Sequence, residues 1–408
     1  MPEAGWYSKL VLLALAGVTG LNYFCGLYPA TPVVIMLIGV PKEIKNHEYR
    51  VGMAPASVRE AIRHGHQVMV ETDAGGGIGV GDDEYAQIGA EIVDSAKEIF
   101  ARAEMVVKVK EPQASERAML REGQVLFTYL HLAPDPEQTK DLVASGAICI
   151  AYETVTSPHG GLPLLAPMSK VAGRMAIQAG AYCLEHPHGG LGMLLGGVPG
   201  VDPAKVVILG AGVVGTHATH IAVGMGADVW VIDRNPEAIE AHWKQFGRST
   251  NTVFSTQDAI ERHVKDADLV IGGVLIPGAE APKLVTAEMV TGMKAGAVIV
   301  DVAIDQGGCC ETSRPTTHAE PTYIVDNVVH YCVANMPGGV PRTSTYALNN
   351  VTLPHVLELA DKGYRQALME NRWLRDGLNV HKGKITQREV AHDLGYDYHD
   401  SEEVLRHD

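Results

Sequence analysis

Short apolar runs alternate with longer stretches of helical spacing along most of the chain. Helical spacing is clearest at residues 55–64 and 94–103. Apolar runs of four to six residues that are rich in β-branched side chains are typical of strands buried on both faces. Their alternation with helices predicts an α/β protein built on parallel sheets. The runs of the first half are residues 37–40, 67–70, 105–109, 125–130 and 147–152.

A second series of apolar runs begins at Lys205, after two loops rich in Gly and Pro. A helix is predicted between the two series, over residues 169–186. Three further helices are predicted after Pro341, so the C-terminal part returns by helices to the first unit. The second-series runs are residues 206–209, 229–232, 269–271 and 297–301, and the late helices are 353–362, 365–375 and 387–394.

The first 35 residues stand apart, because residues 10–28 are apolar and carry no formal charge. A secretory signal or uncleaved membrane anchor, an apolar helix packed on the fold, and an upstream extension are the three interpretations. We favour the extension, with Met36 as the natural start, and leave residues 1–35 out of the fold prediction. Membrane contact is then expected only if the apolar stretch is retained.

Charge and cysteine content exclude several classes of protein. The 408 residues carry 33 Lys and Arg against 48 Asp and Glu, a formal charge of −15, which argues against a nucleic-acid partner. The six Cys form no C-x-x-C pair, which favours a reduced, cytoplasmic setting. No metal site is predicted, because His186 and His188 lack partners at ligand spacing.

The most specific motif is a glycine sequence at the start of the second series. Gly210, Gly212 and Gly215 form G-x-G-x-x-G after an apolar run, with Val213 and Val214 opening the predicted helix. This pattern lets a dinucleotide pyrophosphate approach the helix N-terminus. A glycine turn that binds no nucleotide is the alternative.

An acidic residue follows the motif at the expected distance and indicates the cofactor. Asp233 ends the next apolar run, 18 residues beyond Gly215. A carboxylate there accepts hydrogen bonds from the adenosine ribose and disfavours a 2′-phosphate. Arg234 could pair with such a phosphate, but we expect the carboxylate to dominate. The predicted cofactor is therefore NAD.

Three candidate catalytic residues of the first unit lie near strand ends. Arg50 follows a loop, and Lys110 and His131 follow apolar runs. Open α/β sheets bind ligands at the carboxyl ends of their strands. Taken singly, the three are better interpreted as a surface charge, a solvated strand end and a hydrogen-bonded core histidine than as catalytic residues.

These segments resemble the alanine dehydrogenase family. The similarity covers IGVPKEIKNHEYRVGMAP, VKVKEP, LHLAPD, AYETV, PMSKVAGRMAIQAGA, ILGAGVVGT and VIVDVAIDQGGCCETSRPTTH, in the family's order, from Met36 to about Tyr396. The resemblance implies NAD-dependent, reversible oxidative deamination of L-alanine to pyruvate and ammonium by a homohexamer. It also implies two Rossmann-like, doubly wound parallel-sheet domains with a cleft between them: residues 36–163 plus 343–408 for the substrate, and 164–342 for NAD.

The resemblance also implies roles for individual residues. Arg50 and Lys110 would bind the substrate carboxylate and keto oxygen, His131 would be the general acid–base, and Asp305 the active-site carboxylate. The implied cofactor contacts are Ser169 at the pyrophosphate, Asp233 at the ribose, Ser255 near the adenosine, and Val274, Leu275, Ile304 and Asn335 around the nicotinamide and substrate.

Three other functions remain as alternatives. One is the nucleotide-binding part of a nicotinamide nucleotide transhydrogenase, which resembles this family in both domains. Another is a dehydrogenase for a different amino acid, such as a lysine- or saccharopine-type enzyme. The third is a nucleotide-dependent sensor or structural protein that lost the chemistry, against which the retained Arg, Lys, His and Asp set argues.

Overall fold

The computed structural model describes residues 35–274 and 281–408. The apolar stretch at residues 10–28 and the predicted cofactor contact Leu275 lie outside the described residues. Within the described part of the chain, no helix combines the length and apolarity needed to cross a membrane.

Six parallel strands of the first sheet lie side by side in the order β3-β2-β1-β4-β5-β6. This is the order of a doubly wound Rossmann sheet. Five of the strands coincide with the predicted apolar runs, and β3 is additional. The strands are β1 (Leu37–Val40), β2 (Gln67–Glu71), β3 (Glu91–Val93), β4 (Met105–Val107), β5 (Val125–Thr128) and β6 (Ile148–Ala151).

Helices connect these strands and begin where local signals predict. The longest is α5, whose N-cap Asp135 accepts a hydrogen bond from the N–H of Gln138 while Pro136 occupies the first turn. The connecting helices are α1 (Pro55–Arg63), α2 (Asp82–Gln87), α3 (Ala96–Arg102), α4 (Ala114–Arg117) and α5 (Pro136–Ser145).

The second sheet, in the order β9-β8-β7-β10-β11-β13-β12, repeats the topology of the first through five strands and then differs, because β13 lies inside β12. All of its strand pairs are parallel except β12 with β13. The strands are β7 (Lys205–Leu209), β8 (Asp228–Asp233), β9 (Asn251–Phe254), β10 (Leu269–Gly272), β11 (Val298–Asp301), β12 (Thr322–Val325) and β13 (Val328–Tyr331). Its helices are α7 (Val213–Gly224), α8 (Pro236–Phe246), α9 (Gln257–Lys265) and α10 (Ala287–Thr291).

Two long helices, α6 (Ala166–Cys183) and α11 (Pro341–Lys362), join the sheets. In α6, Gly173 lets α7 approach closely, because a Cβ on Gly173 would lie 2.2 Å from the carbonyl oxygen of Val214. The prediction that the last long helix starts at residue 353 was wrong. It starts with Pro341 in its first turn, where proline is tolerated, and it continues through Pro354.

The C-terminal segment returns to the first sheet, where β14 pairs antiparallel with β6 and β15 with β14. The predicted helix 365–375 is two helices, separated at Asn371, whose side chain caps the second. Both sheets therefore combine a Rossmann-like parallel core with an antiparallel edge. The fold prediction is confirmed, and the antiparallel edges were not predicted. The elements are α12 (Tyr364–Glu370), α13 (Arg372–Arg375), β14 (Leu378–His381), β15 (Lys384–Ile385), α14 (Arg388–Leu394) and α15 (Ser401–Arg406).

Candidate active site

Arg50 is buried beyond the carboxyl end of β1 and is held by a carboxylate. Its Nε lies 2.6 Å from Oε1 of Glu48, and its NH2 nitrogen lies 2.5 Å from Oε2 of the same residue. NH2 also donates to Oδ1 of Asn335 at 2.9 Å, whereas among the described residues the hydrogen-bond partner of NH1 is the sulfur of Met168 at 3.0 Å. Glu48 and Asn335 therefore occupy Nε and NH2 of the guanidinium, and NH1 is the nitrogen that remains for a polar ligand.

The Glu48–Arg50 ion pair is almost fully enclosed, with side-chain exposures of 0% and 1%. Burial alone would raise the pKa of Glu48, but the hydrogen bonds and charge of Arg50, with Asn335, lower that pKa to about 2. Glu48 is therefore ionised throughout the physiological range, and it keeps Arg50 charged and oriented.

Lys110 follows β4 at the same end of the sheet. Its N–H donates to Glu43, and its carbonyl accepts from the hydroxyl of Thr128. Burial lowers the pKa of the Lys110 ammonium; Arg50 and Lys45 lower it further, while Glu111 and Asp305 oppose them. Lys110 thus lies between two further cations, Arg50 and Lys45, and two carboxylates, Glu111 and Asp305, whose charges act on its pKa in opposite directions.

His131 lies beyond β5 with a left-handed backbone, at φ 50°. Oε1 of Glu153 accepts the His131 N–H at 2.6 Å and lies 3.9 Å from Nδ1 of the ring. The ring stacks on Tyr129, with centroids 5.8 Å apart, and its side chain is 43% exposed. His131 is therefore not the buried core histidine of the alternative interpretation. An accessible imidazole with a fixed backbone can exchange protons with a ligand.

Residues of the second sheet complete this cluster. Asp305 is exposed in a 3-10 turn after β11, and its Oδ1 accepts the N–H of Asn335 at 3.3 Å. Asn335 has a left-handed backbone (φ 59°) and donates from Nδ2 to Glu48 at 3.0 Å. Asn335 therefore ties Arg50 and Glu48 of the first sheet to Asp305 of the second. The structure thus brings Arg50, Asn335 and Asp305, three of the predicted site residues, next to one another.

The predicted glycine motif forms a tight strand–turn–helix connection between β7 and α7. Gly210 has φ 104°, which favours glycine, and a Cβ on Gly215 would lie only 1.8 Å from the Gly210 carbonyl oxygen. Gly212 precedes the first turn of α7, and a Cβ there would meet no atom within 4 Å. Val213 is exposed and Val214 is buried. The open side of Gly212 is where a pyrophosphate would approach.

Other predicted cofactor residues surround this turn. Asp233 accepts N–H bonds from Ala211 (2.6 Å) and Asn235 (2.7 Å), and Ser255 donates its N–H to the Asp233 carbonyl. A Cβ on Gly210 would lie 3.4 Å from Val274. Two more predicted cofactor contacts are described. Ser169 lies in the first turn of α6, and Ile304 lies in the same 3-10 turn as Asp305.

Glu48, Glu153 and Met168 contact the predicted site residues, and the sequence interpretation missed them. Glu48 precedes Arg50 by two residues, and Glu153 directly follows β6, the strand next to β5. Neighbouring parallel strands end at the same sheet edge, so the position of Glu153 was a usable signal. Met168 comes from α6 and has no sequence signal of this kind.

The described cysteines are free and buried, and Cys25 lies outside the described residues. Burial raises the pKa of the Cys149 thiol to about 12, so this thiol is unreactive. In the described ranges, no group of three or more His, Cys, Asp or Glu side chains is arranged to hold a metal ion.

Comparison with known proteins gives matches along both sheets. The model of the N-terminal domain of alanine dehydrogenase/PNT matches residues 39–172, and the C-terminal domain model matches residues 176–388. Alanine dehydrogenase of Halomonas elongata is 57% identical over 363 residues, covering 89% of this chain and 98% of that protein. The Mycobacterium tuberculosis alanine dehydrogenase is 51% identical, covering 91% of this chain and all of that protein.

Solved structures agree with the sequence matches. An L-alanine dehydrogenase structure superimposes with a TM-score of 0.86 and 53% identity, covering 88% of this chain and 99% of that one. A transhydrogenase from Sinorhizobium meliloti is more distant, with a TM-score of 0.74 and 26% identity over 86% of this chain and 99% of its own. The predicted resemblance is thereby confirmed, and the chain belongs to the alanine dehydrogenase/PNT family.

Proposed function

We propose that the protein is an NAD-dependent alanine dehydrogenase that converts L-alanine, NAD and water to pyruvate, ammonium and NADH, reversibly. The observation that carries this proposal is that Asn335 joins Arg50 of the first sheet to Asp305 of the second. Lys110 lies close enough to both for their charges to shift its pKa, and His131 stacks on Tyr129 beyond the neighbouring strand. Relatives named alanine dehydrogenase, at 51–57% identity over about nine-tenths of the chain, support the same activity.

The glycine turn and Asp233 fit the adenosine and pyrophosphate of NAD. The space at Gly212 and the N–H groups of the first turn of α7 would accept the pyrophosphate, and Asp233 would accept the ribose hydroxyls. Ser169, Ser255, Val274, Leu275 and Ile304 are the remaining proposed contacts. When bound, NAD supplies the hydride acceptor.

Arg50 and Lys110 would bind and polarise the substrate. The NH1 side of Arg50 donates to the carboxylate, since Glu48 and Asn335 occupy the other nitrogens. The Lys110 ammonium stabilises negative charge on the substrate oxygen, and the buried setting strengthens this interaction.

His131 would transfer the protons. After hydride leaves Cα, water adds to the iminium, and His131 accepts a proton from that water and returns one to the departing ammonia. Glu153 holds the His131 backbone, which aims the ring. Asp305, exposed beside Asn335, would order the amine or the attacking water.

The decisive experiment is a spectrophotometric assay of the purified protein at 340 nm. NADH oxidation should require pyruvate and ammonium together, and NADPH should be a poor substitute. Faster turnover with another oxo acid would indicate a different amino-acid dehydrogenase. Hydride transfer from NADH to an oxidised nicotinamide dinucleotide whose reduced form absorbs at another wavelength, such as the acetylpyridine or thionicotinamide analogue, would favour the transhydrogenase alternative if it proceeded without any oxo acid.

We extend the proposal to the domains, the assembly and the compartment. Residues 36–163 with 343–408 are assigned to substrate binding, which the place of β14 and β15 in the first sheet supports. Residues 164–342 are assigned to NAD. The family resemblance supports a homohexamer, measurable by analytical ultracentrifugation, and the free buried thiols favour the cytoplasm.

A further inference from the structure

Three charged side chains form a buried group next to Lys110 and have no part in the mechanism above. The Nζ of Lys108 lies 3.1 Å from Oε2 of Glu43 and 2.7 Å from Oε1 of Glu116, and all three side chains are at most 2% exposed. We call them the Glu43–Lys108–Glu116 triad. Removing ions this completely from water is costly, so their arrangement requires an explanation.

The two oxygens of Glu43 have different partners. Oε2 faces the Lys108 ammonium, whereas Oε1 accepts the backbone N–H groups of Val109 at 2.6 Å and Lys110 at 3.3 Å. Both oxygens act only as acceptors, which an ionised carboxylate satisfies. A glutamine at position 43 would have to turn its NH2 group, which is a donor, toward either the Lys108 ammonium or the two backbone N–H groups. It would therefore lose the hydrogen bonds on one of the two sides.

The segment that Glu43 binds lies just past the end of β4, where the sheet no longer supplies partners on that side. The carbonyl of Val109 accepts from the N–H of Tyr129, and the carbonyl of Lys110 accepts from the Thr128 hydroxyl. Thr128 of β5 and Tyr129 after it thus bind the carbonyl groups of Lys110 and Val109, whereas Glu43 binds the N–H groups of the same two residues. The backbone of Lys110 is fixed from two sides.

Glu116 provides an internal comparison. It pairs with the same ammonium, but its other oxygen accepts the N–H of Gln113 at 2.8 Å, at the start of α4. It makes no hydrogen bond to Val109 or Lys110. Both carboxylates therefore pair with Lys108 through one oxygen, but of the two it is Glu43 that also holds the backbone of Lys110.

We propose that Glu43 is a positioning residue for the amino-acid reaction: it fixes the backbone of Lys110 so that the Lys110 ammonium stands beside the reacting oxygen. The inference rests on the proposed function. Buried ion pairs contribute little net stability compared with apolar replacements, so stability alone does not account for a second buried carboxylate beside one lysine. A displacement of about 1 Å in a binding group costs about a hundredfold in rate.

The test compares Glu43→Gln with Glu116→Gln in the full-length enzyme. Each variant leaves Lys108 one carboxylate and carries the same net charge. They differ in the backbone that is affected: Val109 and Lys110 in Glu43→Gln, and Gln113 in Glu116→Gln. We expect kcat/KM for pyruvate to fall about tenfold in Glu43→Gln and less than about threefold in Glu116→Gln. The Kd of NADH, measured by fluorescence, should stay unchanged in both.

Glu43→Ala removes every bond and should lower kcat/KM for pyruvate about a hundredfold. If it does not fold, the two glutamine variants still decide the matter. Equal losses in both glutamine variants, or wild-type kinetics in Glu43→Gln, would overturn the positioning role. Failure of the wild type to use pyruvate and ammonium would instead refute the proposed function.

Discussion

The two halves of the candidate site differ in the chemical groups that they present. At the end of the first sheet, buried side-chain charges are arranged in pairs, Arg50 with Glu48 and Lys108 with Glu43 and Glu116. At the end of the second sheet, the glycine turn offers backbone N–H groups and open space, and the nearby carboxylate of Asp233 bonds to backbone N–H groups.

This difference follows from the ligands that each half is proposed to bind. A small carboxylate offers few contacts, so a buried, pre-oriented cation is needed, and that cation needs a fixed counter-charge. A dinucleotide is long, so a backbone surface of the right shape supplies many weak contacts. We therefore expect steric changes to damage the second half, and changes of charge to damage the first.

The largest expected effect is steric. In Gly215→Val, the added Cβ would start 1.8 Å from the Gly210 carbonyl oxygen, so the turn cannot keep its shape. We expect the Kd of NADH, measured by fluorescence titration, to rise about a thousandfold, equivalent to about 4 kcal/mol. Gly224→Ala is the matched control in the same helix, since a Cβ there meets nothing within 4 Å. Intact NADH binding in Gly215→Val would refute the role of this turn.

The second prediction concerns proton transfer, which should be lost while NADH binding is kept. His131→Asn keeps a residue type that tolerates the left-handed backbone and removes the imidazole. We expect kcat to fall about a hundredfold or more, with the Kd of NADH unchanged. Stopped-flow absorbance would measure both quantities. Wild-type turnover in this variant would eliminate His131 as the proton carrier.

The third prediction concerns acid stability of the substrate half. The pKa of Glu48 is lowered from 4.5 to about 2, so its stabilisation is complete above pH 4.5 and is lost as the pH falls toward 2. About 1 kcal/mol should be lost between pH 6 and pH 3.5. Urea unfolding of the wild type and Glu48→Gln across this range should show a smaller acid-dependent loss in the variant. Parallel curves would show that Glu48 titrates as an ordinary carboxyl.

The smallest expected effect is a shift in pH dependence. Lys45 lowers the pKa of Lys110, so Lys45→Gln should let that pKa rise. Because pyruvate binding needs the protonated ammonium, the alkaline limb of kcat/KM should move to higher pH, by less than about one unit. Glu111→Gln is the opposite-sign control, since Glu111 raises the same pKa. A shift in the same direction for both variants would contradict this electrostatic account.

Much of the fold was predictable because its signals are local. Buried parallel strands are continuous apolar runs, and the glycine turn requires glycine at fixed spacing, so β1, β7 and the Gly210–Gly215 motif could be located beforehand. The edge strands were not predicted, because strands such as β12 alternate in burial and resemble loops in composition. The early start of α11 was missed because proline at a first turn also marks a break.

The sequence by itself determined the α/β class, the nucleotide turn and, through the family resemblance, the candidate residues Arg50, Lys110, His131 and Asp305. The tertiary structure decided which atoms of these residues can contact a ligand. It is the folded chain that brings Asn335 to NH2 of Arg50 across 285 positions and leaves NH1 against the sulfur of Met168. Such pairings depend on how distant strand ends converge, and no local pattern encodes them. For the same reason, the roles of Glu43 and Glu153 became visible only in the structure. Glu43 accepts the backbone N–H of Lys110, and Glu153 accepts that of His131.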